Sequence, residues 1–145
     1  MRYVYPVSIE QDENGRYIAI AIDVPEAISD GATLEEALRE ISNALGSALA
    51  GYSNEGRGLP TPSEASDGAY SVPVAPLVAA KLALRTAMQN EGMTNVALAQ
   101  RLDISEGAVR RLVDPDHASR LDRVVTALAA IGHGLIIEDQ KQFAA

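Results

Sequence analysis

From Tyr3 to Ile9 every second residue is large and apolar (Tyr3, Tyr5, Val7, Ile9), with Val4, Pro6 and Ser8 between them and Glu10 next. A period of two predicts a strand with one better-buried face, and Pro6, which has no N–H to donate, argues for a place at the sheet's edge. Asp12, Glu13, Asn14 and Gly15 supply a reversal, after which Arg16 to Asp23 alternates again with Ile18, Ile20 and Ile22 on one side; the two runs predict a hairpin. Beyond Val24-Pro25 a short third strand, Ala27 to Ser29, is expected to stop at Asp30-Gly31.

The period then changes. Thr33-Leu34-Glu35-Glu36 is a capping box, and Leu34, Ala37, Leu38, Ile41, Leu45, Ala48, Leu49 and Tyr52 fall on one stripe of a long helix expected to cover the sheet. Between Asn54 and Ser71 the chain turns to Gly, Pro, Ser, Thr and Asp, which predicts a loop. Tyr70 to Val74 regains strand character and is expected to rejoin the sheet; a hinge near Val74 to Pro76 then separates a first domain, residues 1–74, from a second, residues 76–145. The second reads as helical. Leu77, Ala80, Leu84, Ala87 and Met88 make one amphipathic helix ending at Gly92, and residues 119–131 make another with Leu121, Val124, Val125 and Leu128 inward, stopped by Gly132. The apolar run Leu135 to Ile137 is expected to pair as a strand or to join an interface.

Between those helices, residues 94–113 carry the layout of a helix-turn-helix of the kind that reads DNA. Ala97, Leu98, Ala99 and Leu102 form the packing face of a first short helix, Ile104 fills the turn, and Ser105 caps the second helix, whose Val109 and Leu112 face inward. Asp103 stands at a turn position that often needs φ > 0, a region Asp reaches at modest cost. Ser105, Glu106, Gly107, Arg110 and Arg111 are left outward as candidate DNA contacts, with Ser119 and Arg120, at the entry to the next helix, expected on phosphates. Arginine suits both guanine edges and phosphates.

Charge divides the chain at the same place. Residues 1–72 hold four arginines against twelve carboxylates, and residues 73–145 hold eight charges of each sign, so the whole net charge of −8 sits on the first domain. Phosphate backbones would repel that half, and only the local arginine face of the second can bind DNA. At 145 residues and 47% hydrophobic content the chain has material for one ordinary core or two small ones, and the charge split favours two. With no cysteine, disulfides and thiolate metal sites are excluded, which fits a reducing cytoplasm. No apolar run approaches the roughly 18 residues of a membrane span, and the strand-like start leaves no room for a signal peptide.

The chain resembles the HicB family of antitoxins in the succession of strand, Asn-Gly reversal and strand, in the segment from Asp23 to Leu38, and in the long helix that ends in a Gly- and Pro-rich loop. Glu26 and Ala27 stand where many members carry Gly-Cys. The resemblance implies an α+β chain: an N-terminal partial ribonuclease-H-like domain, antiparallel sheet plus helix, followed by an all-α helix-turn-helix domain of lambda-repressor-like type. It further implies an antitoxin of a type II toxin–antitoxin pair that neutralises a HicA-type toxin, a small basic mRNA endoribonuclease, and represses its own operon on operator double-stranded DNA. The acidic half suits a basic partner, since complementary potentials speed encounter. Asp12, Glu13, Asp23, Glu26 and Asp30, around the strand ends, are the candidate toxin contacts. Reading two half-sites calls for a homodimer or a higher even oligomer.

Two other readings stay open. A ribonuclease-H-like fold can cut nucleic acid through carboxylate-held magnesium, which needs several carboxylates converging on one spot. Asp12, Glu13, Asp23 and Asp30 read more simply as a solvated acidic surface, and His117 and His133 stand alone, so no catalytic residue, metal or cofactor is assigned. Alternatively, the first domain senses a small ligand for a transcriptional repressor, although its inner faces carry few polar groups to orient one.

Overall fold

The computed structural model describes residues 1–141, and its arrangement is α+β. Two compact units result, Met1–Ala75 together with residues 139–141, and Pro76–Glu138.

The first unit is a four-stranded antiparallel sheet, β1 (Val4–Gln11), β2 (Tyr17–Ala21), β3 (Ile28–Gly31) and β4 (Tyr70–Pro73), in the order β3-β2-β1-β4, with one helix, α1 (Leu34–Asn54), on one face. The expected hairpin forms, its reversal organised by Asp12, whose Oδ1 accepts from the N–H groups of Asn14 and Arg16 at 2.9 Å. Gly15 takes φ +78 there, a conformation glycine adopts without the strain a Cβ brings.

Pro6 does not mark an edge: β1 lies inside the sheet, between β2 and β4. The β1–β2 register ends at Val7↔Ala21, and beyond it Pro6 only accepts, from the Ile22 N–H at 2.9 Å. Its missing donor therefore falls where the ladder has already stopped.

Strand faces are also set differently from the simplest expectation. Tyr5, Val7, Ala19, Ala21 and Val72 are buried, and Ser29 on their face donates to the Ala37 carbonyl of α1. Ile18, Ile20, Ile22 and Ile28 line the opposite side. Helix and sheet approach closely: a Cβ on Gly31 would fall 2.5 Å from the Ala37 nitrogen, so small residues belong on the covered face. Thr33 caps α1 as expected, accepting from Glu36 N–H at 3.1 Å, while Glu36 reaches back to the Ala32 N–H at 2.9 Å. Ala37, Leu38, Ile41, Leu45 and Leu49 complete the core.

The segment between α1 and β4 is irregular, as its composition predicts, but it is pinned. Tyr5 Oη donates to the Pro60 carbonyl at 2.8 Å, Ser63 donates through N and Oγ to Asp23, and the Arg57 guanidinium stacks 3.8 Å from the Tyr52 ring centroid.

The second unit consists of α2 (Pro76–Asn90), α3 (Asn95–Leu102), α4 (Glu106–Val113) and α5 (Leu121–Ala130). Ala80, Leu84, Ala87, Met88, Leu98, Val109, Leu112, Val124, Ala127 and Leu128 form its core. Val125 is more than one-third exposed, with Ala127 taking the inward place expected of it. Leu135 packs against this core, but residues 135–137 form no strand, and Ile136 and Ile137 are exposed. Among the described residues no helix is long and apolar enough to cross a membrane.

Candidate nucleic-acid and partner interfaces

Helices α3 and α4 meet at a turn that the sequence specifies residue by residue. Thr94 caps α3, accepting from Ala97 N–H at 3.1 Å, and Ser105 caps α4, accepting from Ala108 N–H at 3.1 Å. Asp103 ends α3 in the left-handed region at φ 54, ψ 47, the one described non-glycine residue with positive φ. Asp pays less there than a β-branched or bulky residue. Leu98 and Ala99 of α3 are buried, as are Val109 and Leu112 of α4, while Ala97 and Leu102 are half-buried and Ile104 is partly exposed at the turn.

Ser105, Glu106, Arg110 and Arg111 are exposed, and Gly107 is half-buried. Arg110 Nη2 lies 3.5 Å from Glu106 Oε1 one turn back. Exposed pairs of this kind contribute at most about 1 kcal/mol, so Arg110 exchanges partners easily. Arg111 also points toward the start of α4: its Nη1 would lie 3.7 Å from a Cβ on Gly107. Arg120 is exposed and pairs with Asp122 at 2.9 Å.

Beneath this face sits a residue that the sequence reading missed. Lys81 of α2 is fully buried, and its Nζ donates to the carbonyls of Arg111 (2.8 Å), Asp114 (3.0 Å) and His117, and to Ser119 Oγ (2.8 Å). These carbonyls close the last turn of α4 and the loop behind it, where unpaired acceptors and the negative end of the helix dipole both favour a cation. Burial pushes the Lys81 ammonium below the usual lysine range, and the nearby Asp114 charge opposes that shift. The signal was present: Lys81 stands four residues after Leu77 and three before Leu84, on the apolar stripe itself. Ser119 is therefore held from inside rather than free, although a hydroxyl that accepts from Lys81 keeps its own proton to donate outward. Arg101 is exposed but also engaged within the unit, its Nη1 donating to the Ala130 carbonyl at the end of α5.

An open groove of about 390 Å³ runs along this unit, with Leu102, Ile104, Ala108 and Leu112 as its apolar lining and Arg111, His117, Ser119, Arg123 and Thr126 as its polar lining. Arg123, one turn after Arg120 on α5, escaped the sequence reading because an isolated arginine after a helix start has no distinguishing spacing.

On the first unit the five singled-out carboxylates do not form one cluster. Asp12 organises the hairpin reversal, Asp23 holds Ser63, Asp30 pairs with Arg16 at 2.9 Å, and Glu26 accepts from Tyr52 Oη. Glu13 is exposed. The Tyr52 hydrogen bond holds the Glu26 carboxyl below the usual carboxylate range and, reciprocally, Glu26 pushes the Tyr52 phenol up. Among the described residues no three His, Asp or Glu side chains gather where they could hold a metal ion.

Comparison with known proteins points one way. A family model described as HicB_like antitoxin of bacterial toxin-antitoxin system matches residues 4–83, which covers all four strands, α1 and the first half of α2. Over 133 residues the chain is 33% identical to Antitoxin HicB 1 of Photorhabdus laumondii, covering 92% of this chain and 84% of that protein. Antitoxin HicB 2 of the same organism is 35% identical over 90% of this chain and 92% of its own length. Antitoxin HicB of Escherichia coli is 30% identical over 90% of this chain and 95% of its own.

Proposed function

The chain belongs to the HicB-like antitoxins of bacterial toxin–antitoxin systems, and from that premise we propose a division of labour between its two units. The acidic sheet unit binds and neutralises a HicA-type mRNA endoribonuclease, and the helical unit represses the operon by binding operator DNA. The protein acts by binding and is not itself a catalyst. The observation that carries this reading is the coincidence of charge with structure: all of the net charge of −8 lies on the first unit, while the second exposes two arginines on a capped helix. A strongly acidic surface attracts a basic RNA-binding protein and repels nucleic acid; an arginine-bearing helix does the reverse.

In the DNA complex α4 is the recognition helix of a helix-turn-helix. Arg110 and Arg111 reach base edges or phosphates, Ser105, Glu106 and Gly107 bring the helix N-terminus against the duplex, and Ser119 and Arg120 contact phosphate. Lys81 supports this face by fixing the end of α4 and the loop that carries Ser119. Two copies, with recognition helices about 34 Å apart, read the two half-sites, so the working species is a homodimer or a higher even oligomer in the cytoplasm. The five carboxylates contribute to toxin binding chiefly through their field, since four of them are engaged within their own unit.

Co-purification of the full chain with the short basic protein encoded beside it, followed by an RNA-cleavage assay and a footprint on the shared promoter, tests both halves. Inhibited cleavage and a palindromic footprint are expected. Absence of binding to the neighbouring protein, with a footprint retained, would instead favour a repressor whose first unit senses a small ligand.

A further inference from the structure

The side of the sheet away from α1 is unusual for a solvent-facing surface. Ile20 of β2 and Ile28 of β3 are direct cross-strand partners, and Ile18 and Ile22 stand two residues to either side of Ile20, so one face collects four isoleucines. Ile20, Ile22 and Ile28 are 39%, 48% and 57% exposed. Scattered apolar residues on a surface are ordinary, but a contiguous β-branched set on one sheet face, next to an edge strand with unpaired backbone groups, marks an interaction site. β3 is that edge strand.

We propose that this isoleucine face is where the toxin docks, its apolar centre covered by a basic protein that presents an apolar patch ringed by lysine or arginine. The proposal rests on the antitoxin reading above and assigns it a surface. Charge selects the occupant. Glu10, paired with Ile18 across the β1–β2 ladder, and Asp30, paired with Ile18 across the β2–β3 ladder, border the patch, and residues 1–72, which bear it, hold four arginines against twelve carboxylates. A second copy of this chain would bring two such fields together, and like potentials oppose that approach; a basic partner is drawn in. The two features then have separate tasks: the carboxylates set the encounter rate, and the isoleucines, once desolvated, set how long the complex lasts.

The test uses the full chain and the purified short basic protein encoded beside it, with affinity and both rate constants measured and RNA cleavage assayed in parallel. Replacing Ile20, Ile22 and Ile28 together by threonine keeps β-branched shape and strand propensity while removing apolar surface. The triple variant is expected to bind the toxin at least about 100-fold more weakly, chiefly through faster dissociation, with its melting temperature and operator affinity unchanged. Ile28→Lys, a single change at the exposed edge, should weaken binding in the same direction. Glu13→Lys should slow association and leave dissociation alone. If the wild-type chain inhibits the basic protein and the triple variant inhibits it equally well, the docking surface is wrong while the antitoxin reading stands. If the free triple variant drops to a smaller oligomer, the face joins copies of this chain and the proposal is overturned. Failure of the wild-type chain itself to bind the basic protein overturns both.

Discussion

The two units answer the same physical problem, a small core, with different materials. The sheet unit covers one face of four strands with one helix and leaves the other face apolar, and it carries a large net charge. The helical unit buries short helices around a common core, balances its charges, and spends a fully buried lysine on the end of α4. In the first unit the polar groups that organise structure are mostly exposed carboxylates holding turns and loops; in the second the key polar group is an inward cation holding backbone carbonyls. A unit tied by surface carboxylates tolerates loss of any one of them. A unit tied by a single buried ammonium does not.

Cutting the chain at the junction of Ala75 and Pro76 breaks this comparison most severely. Residues 1–75 alone should inhibit the toxin and show no operator binding, while residues 76–145 should bind operator weakly and leave cleavage untouched; loss of both activities from both pieces, read by cleavage and gel-shift assays, would mean that the units do not work separately. Next in size is Lys81→Met, which strands the carbonyls of Arg111, Asp114 and His117. Unpaired buried acceptors should cost about 2–4 kcal/mol net of the relieved lysine desolvation, seen by calorimetry as a lower transition for the helical unit alone and as weaker operator binding.

Arg110→Ala and Arg111→Ala should each weaken operator binding by about 1–3 kcal/mol where a guanine is read, and less, but uniformly across sequences, where only phosphate is touched. Full affinity in the double variant would remove α4 from the interface. The smallest effect concerns pH. Because the Tyr52 hydrogen bond lowers the Glu26 carboxyl, the folded value lies below the unfolded one; its stabilisation is present above the unfolded value and is lost as pH falls through the folded one. Tyr52→Phe should therefore lower stability slightly at neutral pH, leave it unchanged at the acid end and so flatten the acid limb of the profile, as followed by denaturant melts at stepped pH.

Local rules made much of this molecule legible. Thr33 and Ser105 read as caps because a hydroxyl before a periodic run has one acceptor role to fill, and each caps its helix; Thr94, not singled out in the sequence, caps α3 in the same way. Asp103 read as a strained turn because few residues tolerate φ > 0, and the turn is there. Pro6 misled because a proline signals only a missing donor, and which neighbour would have needed that donor depends on where the β1–β2 ladder stops. Leu135 to Ile137 forms no strand, because an apolar run shows only that a partner would be favourable and not that the partner is another strand of the same chain.

Sequence by itself determined the succession of elements, their caps, the charge boundary and the two arginines on α4, because each depends on neighbours within about four residues or on composition. Tertiary structure alone decided which side of an alternating strand is inside. Periodicity is symmetric between the faces, and the close approach of α1 at Gly31 and Ala37 left room for Ala19 and Ala21 but not for the isoleucines. It also decided that Lys81 meets Arg111, Asp114, His117 and Ser119, residues thirty or more positions away. Distance along the chain carries no record of which acceptors a buried cation will find; only the packing of α2 against α4 brings them within 3.0 Å of its nitrogen.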